Sequence, residues 1–440
     1  MDVNVRKCVL KLLGMYESEG SYVNLILNTD SLASLPERER ALVTSLLYTT
    51  VEHKLTYDYL IAAFSSRPVS ELSPYVRDLL RIGLCQILDI DSVPDFAAVS
   101  ETVKLARHEG ERKFVNAVLR RAVREKENLP LPPREKNAAR YLSVRYSVPG
   151  KTVKLFISLF GEEDTEALLR SYSSPAPLSL TVNESKISRE ALMALLAESG
   201  ISAERERYTD NGIRICRSIS PERITGFAEG LFFVQDESSR ISGEVLGTKN
   251  GDTVIDLCAA PGGKSFLAAI RAGQSGKVYS YDLHESKLSL ITGGAARLGL
   301  TNIEAAALDS TELIDELIGK ADRVICDVPC SGLGVFRKKP DLRYKDIEAS
   351  LRLAPIQAKI LRTGAKYLRA GGTLVYSTCT LSPDENENIT DAFIEENRDF
   401  EYEGFTVGDI SAPSGKLTLL PHIHATDGFY IAKIRKKNDN

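Results

Sequence analysis

The sequence predicts a multidomain protein: an all-helical N-terminal region, a small α+β middle module and a C-terminal α/β domain. Three observations carry this. From Leu231 onward, short apolar strand-like runs alternate with helical patterns, as in a parallel sheet covered by helices on both faces. Within that alternation, Thr253-Val-Ile-Asp-Leu257 reads as a buried strand passing through Asp256-Leu-Cys-Ala-Ala-Pro-Gly-Gly-Lys264 into a helix that opens at Ser265. Before it, residues 1–128 are helical in pattern throughout, and Leu129-Pro-Leu-Pro-Pro133 marks a stiff boundary. A chain of 440 residues exceeds one compact core, so two or three domains are expected.

Composition narrows the class. Hydrophobic residues make up 43% and charged residues 26%, ordinary for a globular protein, and no run approaches a membrane span. The start, Met1-Asp-Val-Asn-Val-Arg6, lacks the basic and apolar regions of a signal peptide, so a cytoplasmic protein is expected. The seven cysteines are scattered and odd in number, which argues against a disulfide framework. No Cys-x-x-Cys pair occurs; Cys326-x-x-x-Cys330 and His422-x-His424 are the nearest approaches, and no metal site is expected. With 56 Lys and Arg against 60 Asp and Glu the net charge is −4, so any nucleic-acid binding must rest on local basic patches.

Taken in order, Arg6-Lys-Cys-Val-Leu-Lys-Leu-Leu13 opens the first amphipathic helix. Pro36 and Pro74 each begin another, the first with Leu42, Val43, Leu46 and Leu47 at helical spacing, the second with Leu79, Leu80, Ile82, Leu84 and Ile87. Pro94 leads into a helix through Leu105, and Phe114-Val-Asn-Ala-Val-Leu119 closes the series. Arg112, Lys113, Arg120, Arg121 and Arg124 form a basic surface that suits RNA phosphates or a solvated face. Beyond the linker, Tyr141 to Tyr172 reads as helix. Residues 134–230 then hold a strand at Leu178–Val182, a helix capped by Ser188 and a strand at Gly212–Cys216. In the C-terminal domain, residues 231–437, strands are predicted at 253–257, 278–282, 303–308, 323–327 and 373–378. A final pair near Leu417–Leu420 and Gly428–Ile434 is expected to close an antiparallel edge.

The strand–glycine turn–helix is where an α/β fold holds a cofactor, because the glycines admit close backbone approach and free helix N–H groups face the ligand. Only Gly262 and Gly263 are present, so the dinucleotide pattern G-x-G-x-x-G fails. A P-loop ending in Gly263-Lys264-Ser265 needs its first glycine where Cys258 stands. Asp282, about twenty residues past the turn and at a strand end, is placed to hold a ribose diol. Two cysteines follow strands: Cys330 in Val324-Ile-Cys-Asp-Val-Pro-Cys-Ser-Gly-Leu-Gly334, and Cys379 after Gly371-Gly-Thr-Leu-Val-Tyr-Ser-Thr378. Arg337, Lys338 and Lys339 lie between them as a basic segment suited to phosphates.

These motifs resemble the S-adenosylmethionine-dependent RNA cytosine-5 methyltransferases of the Sun/RsmB family. The 256–264 run matches D-x-C-A-A-P-G-G-K, Phe233-Val-Gln-Asp-Glu-Ser-Ser239 the motif that opens the catalytic domain, and Pro383-Asp-Glu-Asn-Glu387 the family's last motif. Glu39-Arg-Ala-Leu42, Leu80-Arg-Ile-Gly83 and Lys113-Phe-Val-Asn-Ala-Val-Leu-Arg120 resemble the NusB fold that the bacterial members carry at their N-terminus. The resemblance implies a NusB-like RNA-binding domain and a Rossmann-like domain binding S-adenosyl-L-methionine through Cys258, Ala259, Ala260, Pro261, Gly262, Gly263, Lys264, Asp282, Asp309 and Asp327. Asp309 is then the group at the adenine amino, Cys379 the nucleophile at carbon 6, Cys330 the cysteine of release, and Asp327, with its pKa raised, the acid near ring nitrogen 3. The implied partner is small-subunit (16S) ribosomal RNA, presenting a flipped cytosine in a loop, to a monomer without metal. Four departures stand out: Thr181 where the family has Arg, Val328 for Ala, Thr380 for Ser, and the helix-weakening pair Gly293-Gly294, where local looseness is expected. A DNA cytosine-5 methyltransferase using Pro329-Cys330, or a non-catalytic RNA-binding assembly factor, are the alternatives. Cys379, the NusB-like stretches and the presence of Asp327 and both cysteines argue against them.

Overall fold

A computed structural model describes residues 5–19, 23–27, 32, 35–217, 219–348 and 352–438; Met1–Asn4, read above for targeting, lie outside the described residues. The chain divides into two compact units, one of residues 1–173 with 339–345, the other of 174–338 with 346–440.

The first unit is all helix. Val5–Glu19, Glu37–Glu52, Lys54–Ser65, Pro74–Leu88, Asp95–Lys104 and Glu109–Glu125 pack around one core that includes Leu46, Leu47, Leu60, Leu80, Leu84 and Leu119. Proline and capping residues set the starts: Pro74 takes the first helical position and the Ser73 hydroxyl accepts from the Val76 amide. Gly83 is required by packing, since a Cβ there would lie 2.7 Å from the Leu119 methyls. The buried Arg81 guanidinium donates to Asp58 at 2.6 and 2.7 Å and to Asp78 at 2.9 Å, so its charge is matched inside the bundle.

The helix predicted over 141–172 is three helices: Ala138–Tyr146 ends where Ser147 turns left-handed (φ 53°) ahead of Pro149, and the stretch Gly150–Ser171 is divided by a kink at Gly161 (φ 80°). All three pack with the helical unit rather than the middle module. Thr56 Oγ1 donates to the Val144 carbonyl at 2.5 Å and the Leu55 amide to Ser147 Oγ at 3.0 Å. Lys339–Lys345 joins this unit through Tyr344, whose hydroxyl donates to the Glu52 carbonyl at 2.7 Å.

The second unit contains two main sheets. The smaller is antiparallel in the order β2-β3-β1-β4, with β1 Leu178–Val182, β2 Ala203–Arg205, β3 Gly212–Ile215 and β4 Phe232–Val234. Helix Arg189–Glu198 covers it through Leu192 and Leu196, and the Ser188 hydroxyl caps that helix as expected. Strand β4, read as the start of the catalytic domain, hydrogen-bonds to β1 and completes the small sheet.

The larger sheet has the order β10-β14-β9-β8-β5-β6-β7, with β13 also on β14. Its parallel part is β5 Thr253–Asp256, β6 Lys277–Asp282, β7 Ile303–Ala307, β8 Ala321–Asp327 and β9 Leu368–Thr378. Strand β14, Phe429–Lys436, runs antiparallel to β9, to β10 (Phe400–Tyr402) and to β13 (Lys416–Leu419). The expected terminal pair is present: β13 lies antiparallel on β14 at the sheet's edge beside β10, while β14 itself is interior, which its unbroken buried run Phe429–Ala432 accounts for. A separate hairpin of β11 Phe405–Val407 and β12 Ile410–Ala412 was not legible in the pattern. The order reverses between β5 and β8, so their C-terminal ends flank a topological switch point. Helix Glu285–Leu298 runs through Gly293 and Gly294, the pair read above as helix-weakening. A Cβ at Gly294 would lie 2.4 Å from the Phe266 ring, so this glycine lets two helices approach.

Candidate active site

The site is built at the C-terminal ends of β5, β6, β8 and β9. After β5 the chain turns through Gly262 (φ 113°), where a side chain would strike the Phe266 ring, and helix Gly263–Ala272 begins without a side-chain cap. Its first N–H groups are therefore open to an acceptor. Inside the turn, Asp256 accepts from Ser265 Oγ at 2.7 Å, and Ser280 Oγ donates to Ser265 Oγ at 2.8 Å. Burial pushes the Asp256 carboxyl up to about 7, against the opposing Ser265 hydrogen bond. Cys258 is half-buried, and burial pushes its thiol well up. At the end of β6 the buried Asp282 accepts from the Ala260 amide at 3.2 Å and the His284 amide at 3.0 Å. It thus ties the glycine turn to the neighbouring strand. Asp309, past β7, is exposed and accepts from the Thr311 amide at 2.9 Å, which holds its carboxyl below the ordinary value.

Lys264 turns away from the glycine loop. Its amine donates to Asp327 at 2.6 Å and to Ser239 at 2.8 Å, and Ser377 Oγ donates to the other Asp327 oxygen at 2.7 Å. Asp327 thus accepts from two donors, one of them a cation. The two cysteine sulfurs lie 3.2 Å apart, both half-exposed. The contact with Cys379, and after it burial, push the Cys330 thiol well up. The Gly334 amide donates to the Cys379 carbonyl at 3.0 Å, and the Gly428 amide to the Gly334 carbonyl at 2.9 Å.

The basic segment after Cys330 is not a free positive patch. Arg337 pairs with Asp427 at 3.3 Å, and Lys338 pairs with Asp236 and, at 2.8 Å, with Asp427. Two acids 90 and 102 positions away in the chain thus neutralise two of its three charges. Thr181, where the family has Arg, is buried; its hydroxyl accepts from Arg240 at 2.9 Å and donates to Gln235 at 2.9 Å. Cys326 lies in the core, and among the described residues no group of His, Cys, Asp and Glu could hold a metal.

A parallel sheet with a glycine loop after its first strand, an acid after its second and two cysteines past its fourth and fifth defines an α/β methyltransferase domain. The comparisons with known proteins narrow that class. The 16S rRNA methyltransferase RsmB/F family model matches residues 244–435, the NusB family residues 3–124, and an RsmF/B-like ferredoxin-like domain residues 149–220. The chain is 37% identical over 99% of its length, and 99% of the relative's, to "Probable ribosomal RNA small subunit methyltransferase B" of Bacillus subtilis (strain 168). It is 34% identical to "Ribosomal RNA small subunit methyltransferase B" of Pseudomonas putida, over 92% of each chain. A solved methyltransferase homolog from Pyrococcus horikoshii matches 68% of this chain and 99% of its own with a TM-score of 0.60 and 28% identity. The chain belongs to the ribosomal RNA small subunit methyltransferase B family. The cofactor is S-adenosylmethionine, and the residues fit it: an uncapped helix N-terminus for its carboxylate and Asp282 at a strand end for its ribose.

Sequence reading missed Glu385 and Ser239. Both lie inside matched motifs, but nothing in their spacing says what their side chains touch.

Proposed function

We propose that the protein methylates carbon 5 of a cytosine in small-subunit ribosomal RNA through a covalent bond from Cys379 to carbon 6. The observation that carries this is the pair of sulfurs 3.2 Å apart past adjacent strand ends, β8 and β9, whose β8 end also carries the Lys264–Asp327 pair. Bound S-adenosylmethionine supplies an electrophilic methyl group on a sulfonium. The Cys379 thiolate adds to carbon 6, which leaves carbon 5 electron-rich enough to take the methyl. Asp327 takes a proton from Lys264 through their hydrogen bond and passes it to ring nitrogen 3 as negative charge develops there, leaving the amine neutral until the nitrogen gives the proton back on release. After methyl transfer the proton on carbon 5 leaves to a base, the electron pair re-forms the ring double bond and the Cys379 thiolate departs. Cys330 serves this release. The target cytosine must leave its stack to reach such a site, which favours an RNA loop.

The helical unit is proposed as the RNA-recognition module, supported by exposed Arg112, Lys113, Arg120 and Arg124 on helix Glu109–Glu125. Arg121 is committed elsewhere, donating to the Phe64 carbonyl at 3.1 Å and to Glu125 at 2.8 Å.

Denaturing gels with labelled RNA test the cysteine roles. Cys379→Ala should lose both methylation and any covalent complex, while Cys330→Ala should attack, stall and run as a protein–RNA band. Trapping by Cys379→Ala alone would exchange the two roles.

A further inference from the structure

Glu385 lies in the 3-10 turn Pro383–Glu385, directly after the strand end that delivers Cys379, and its side chain is fully buried. Three donors converge on it. The Ser331 amide reaches Oε2 at 2.9 Å, Gln357 Nε2 reaches the same oxygen at 3.0 Å, and Ser331 Oγ reaches Oε1 at 2.5 Å. Gln357 also donates to the Pro329 carbonyl at 2.8 Å, so the residues on both sides of Cys330 are gripped by one small cluster. Ser331 Oγ lies 2.7 Å from Thr380 Oγ1. Because Ser331 spends its hydroxyl proton on Glu385, Thr380 is the donor in that contact, and a directed chain runs from the residue after Cys379, through the residue after Cys330, to the carboxylate. Thr380 stands where the family has Ser, and its hydroxyl preserves that donor. Among the described residues the groups that hydrogen-bond the Glu385 carboxylate are neutral donors, so a buried anion stands beside the two cysteines held by neutral hydrogen bonds.

We propose that Glu385 is a positioning residue that fixes the spacing of the two cysteines and, through its charge, keeps Cys330 as the thiol while Cys379 supplies the thiolate. This rests on the proposed division of labour between the cysteines. The titratable groups acting on Cys330 include, in order of effect, Cys379 just past β9 and Glu385 in the turn, with Tyr376 of β9 facing it as well; none of these is a cation, and the Gly332 amide acts the other way. A negative charge at Glu385 opposes a second one on Cys330.

The test needs neither RNA nor cofactor, so it stands or fails apart from the proposed reaction. The pH profile of iodoacetamide alkylation is measured on the full chain, with each cysteine read by peptide mass spectrometry and exposed Cys216 as the internal control. In Glu385→Gln the Cys330 profile should move down by about one pH unit, roughly tenfold faster labelling on its rising limb, as expected for losing one nearby charge. Ser331→Ala loosens the same cluster but keeps the charge, and its Cys330 profile should stay or move up. A downward shift in Ser331→Ala, or none in a Glu385→Gln protein with an unchanged circular dichroism spectrum, overturns the proposal.

Discussion

Replacing Asp256 with Asn should remove a pH-dependent strain at the root of the glycine loop. The wild-type carboxyl is 1% exposed, and burial pushes it up to about 7 from an ordinary value of 3.8. The sign follows from proton binding. Between those two values the folded state holds a proton that the unfolded state has released, so stability falls as pH rises and the whole penalty is present above about 7. From pH 5 to pH 7, two pH units at 1.36 kcal/mol each give about 3 kcal/mol lost by the wild type from this one group. Asn is neutral across that range, and its carbonyl can still accept from Ser265 Oγ. Its amide would occupy the Oδ1 position, which has no partner in the wild type, so an orphaned polar group is present in both. With Asn standing in for the protonated carboxyl, Asp256→Asn should therefore exceed the wild type by about 1.5 kcal/mol at pH 5 and by about 4 kcal/mol at pH 8. The chain has no tryptophan, so urea unfolding is followed by circular dichroism, with hydrogen exchange at β5 locating the change. Parallel stability curves from pH 5 to pH 8 would refute the idea that burial holds this carboxyl up.

Three further outcomes are expected. Asp282→Ala removes the strand-end acid and its grip on the Ala260 amide, so calorimetry should show S-adenosylmethionine binding weakened tenfold or more, roughly one charged hydrogen bond. Lys264→Gln removes the cation on Asp327; methylation should fall by about 100-fold or more while cofactor affinity, read by the same titration, changes little. Charge reversal at Arg120 and Arg124 should weaken binding of a small-subunit RNA fragment and lower its salt dependence, with cofactor binding unaltered as the internal control.

What the sequence by itself determined is what lies in contiguous stretches. The turn of residues 256–264, the acid at Asp282 and the two cysteines past strand ends were legible because backbone conformation there is set by neighbouring residues: apolar β-branched strands, then glycines, then a helix start. The helical character of the first unit was legible for the same reason, since proline and serine at helix starts act locally. Tertiary structure alone decided which side chains meet. Lys264 reaches Asp327, 63 residues on, so its amine faces the end of β8 although its backbone belongs to the glycine loop. Arg337 and Lys338 look like a phosphate patch until the fold brings Asp236 and Asp427 against them. Strand β4 joins the small sheet and β14 the interior of the large one, because an apolar strand does not itself specify which free edge it will pair with. Glu385 had no signal beyond its motif. A buried carboxylate is defined by the donors that surround it, and those come from Ser331 and Gln357, which only the folded chain places beside it.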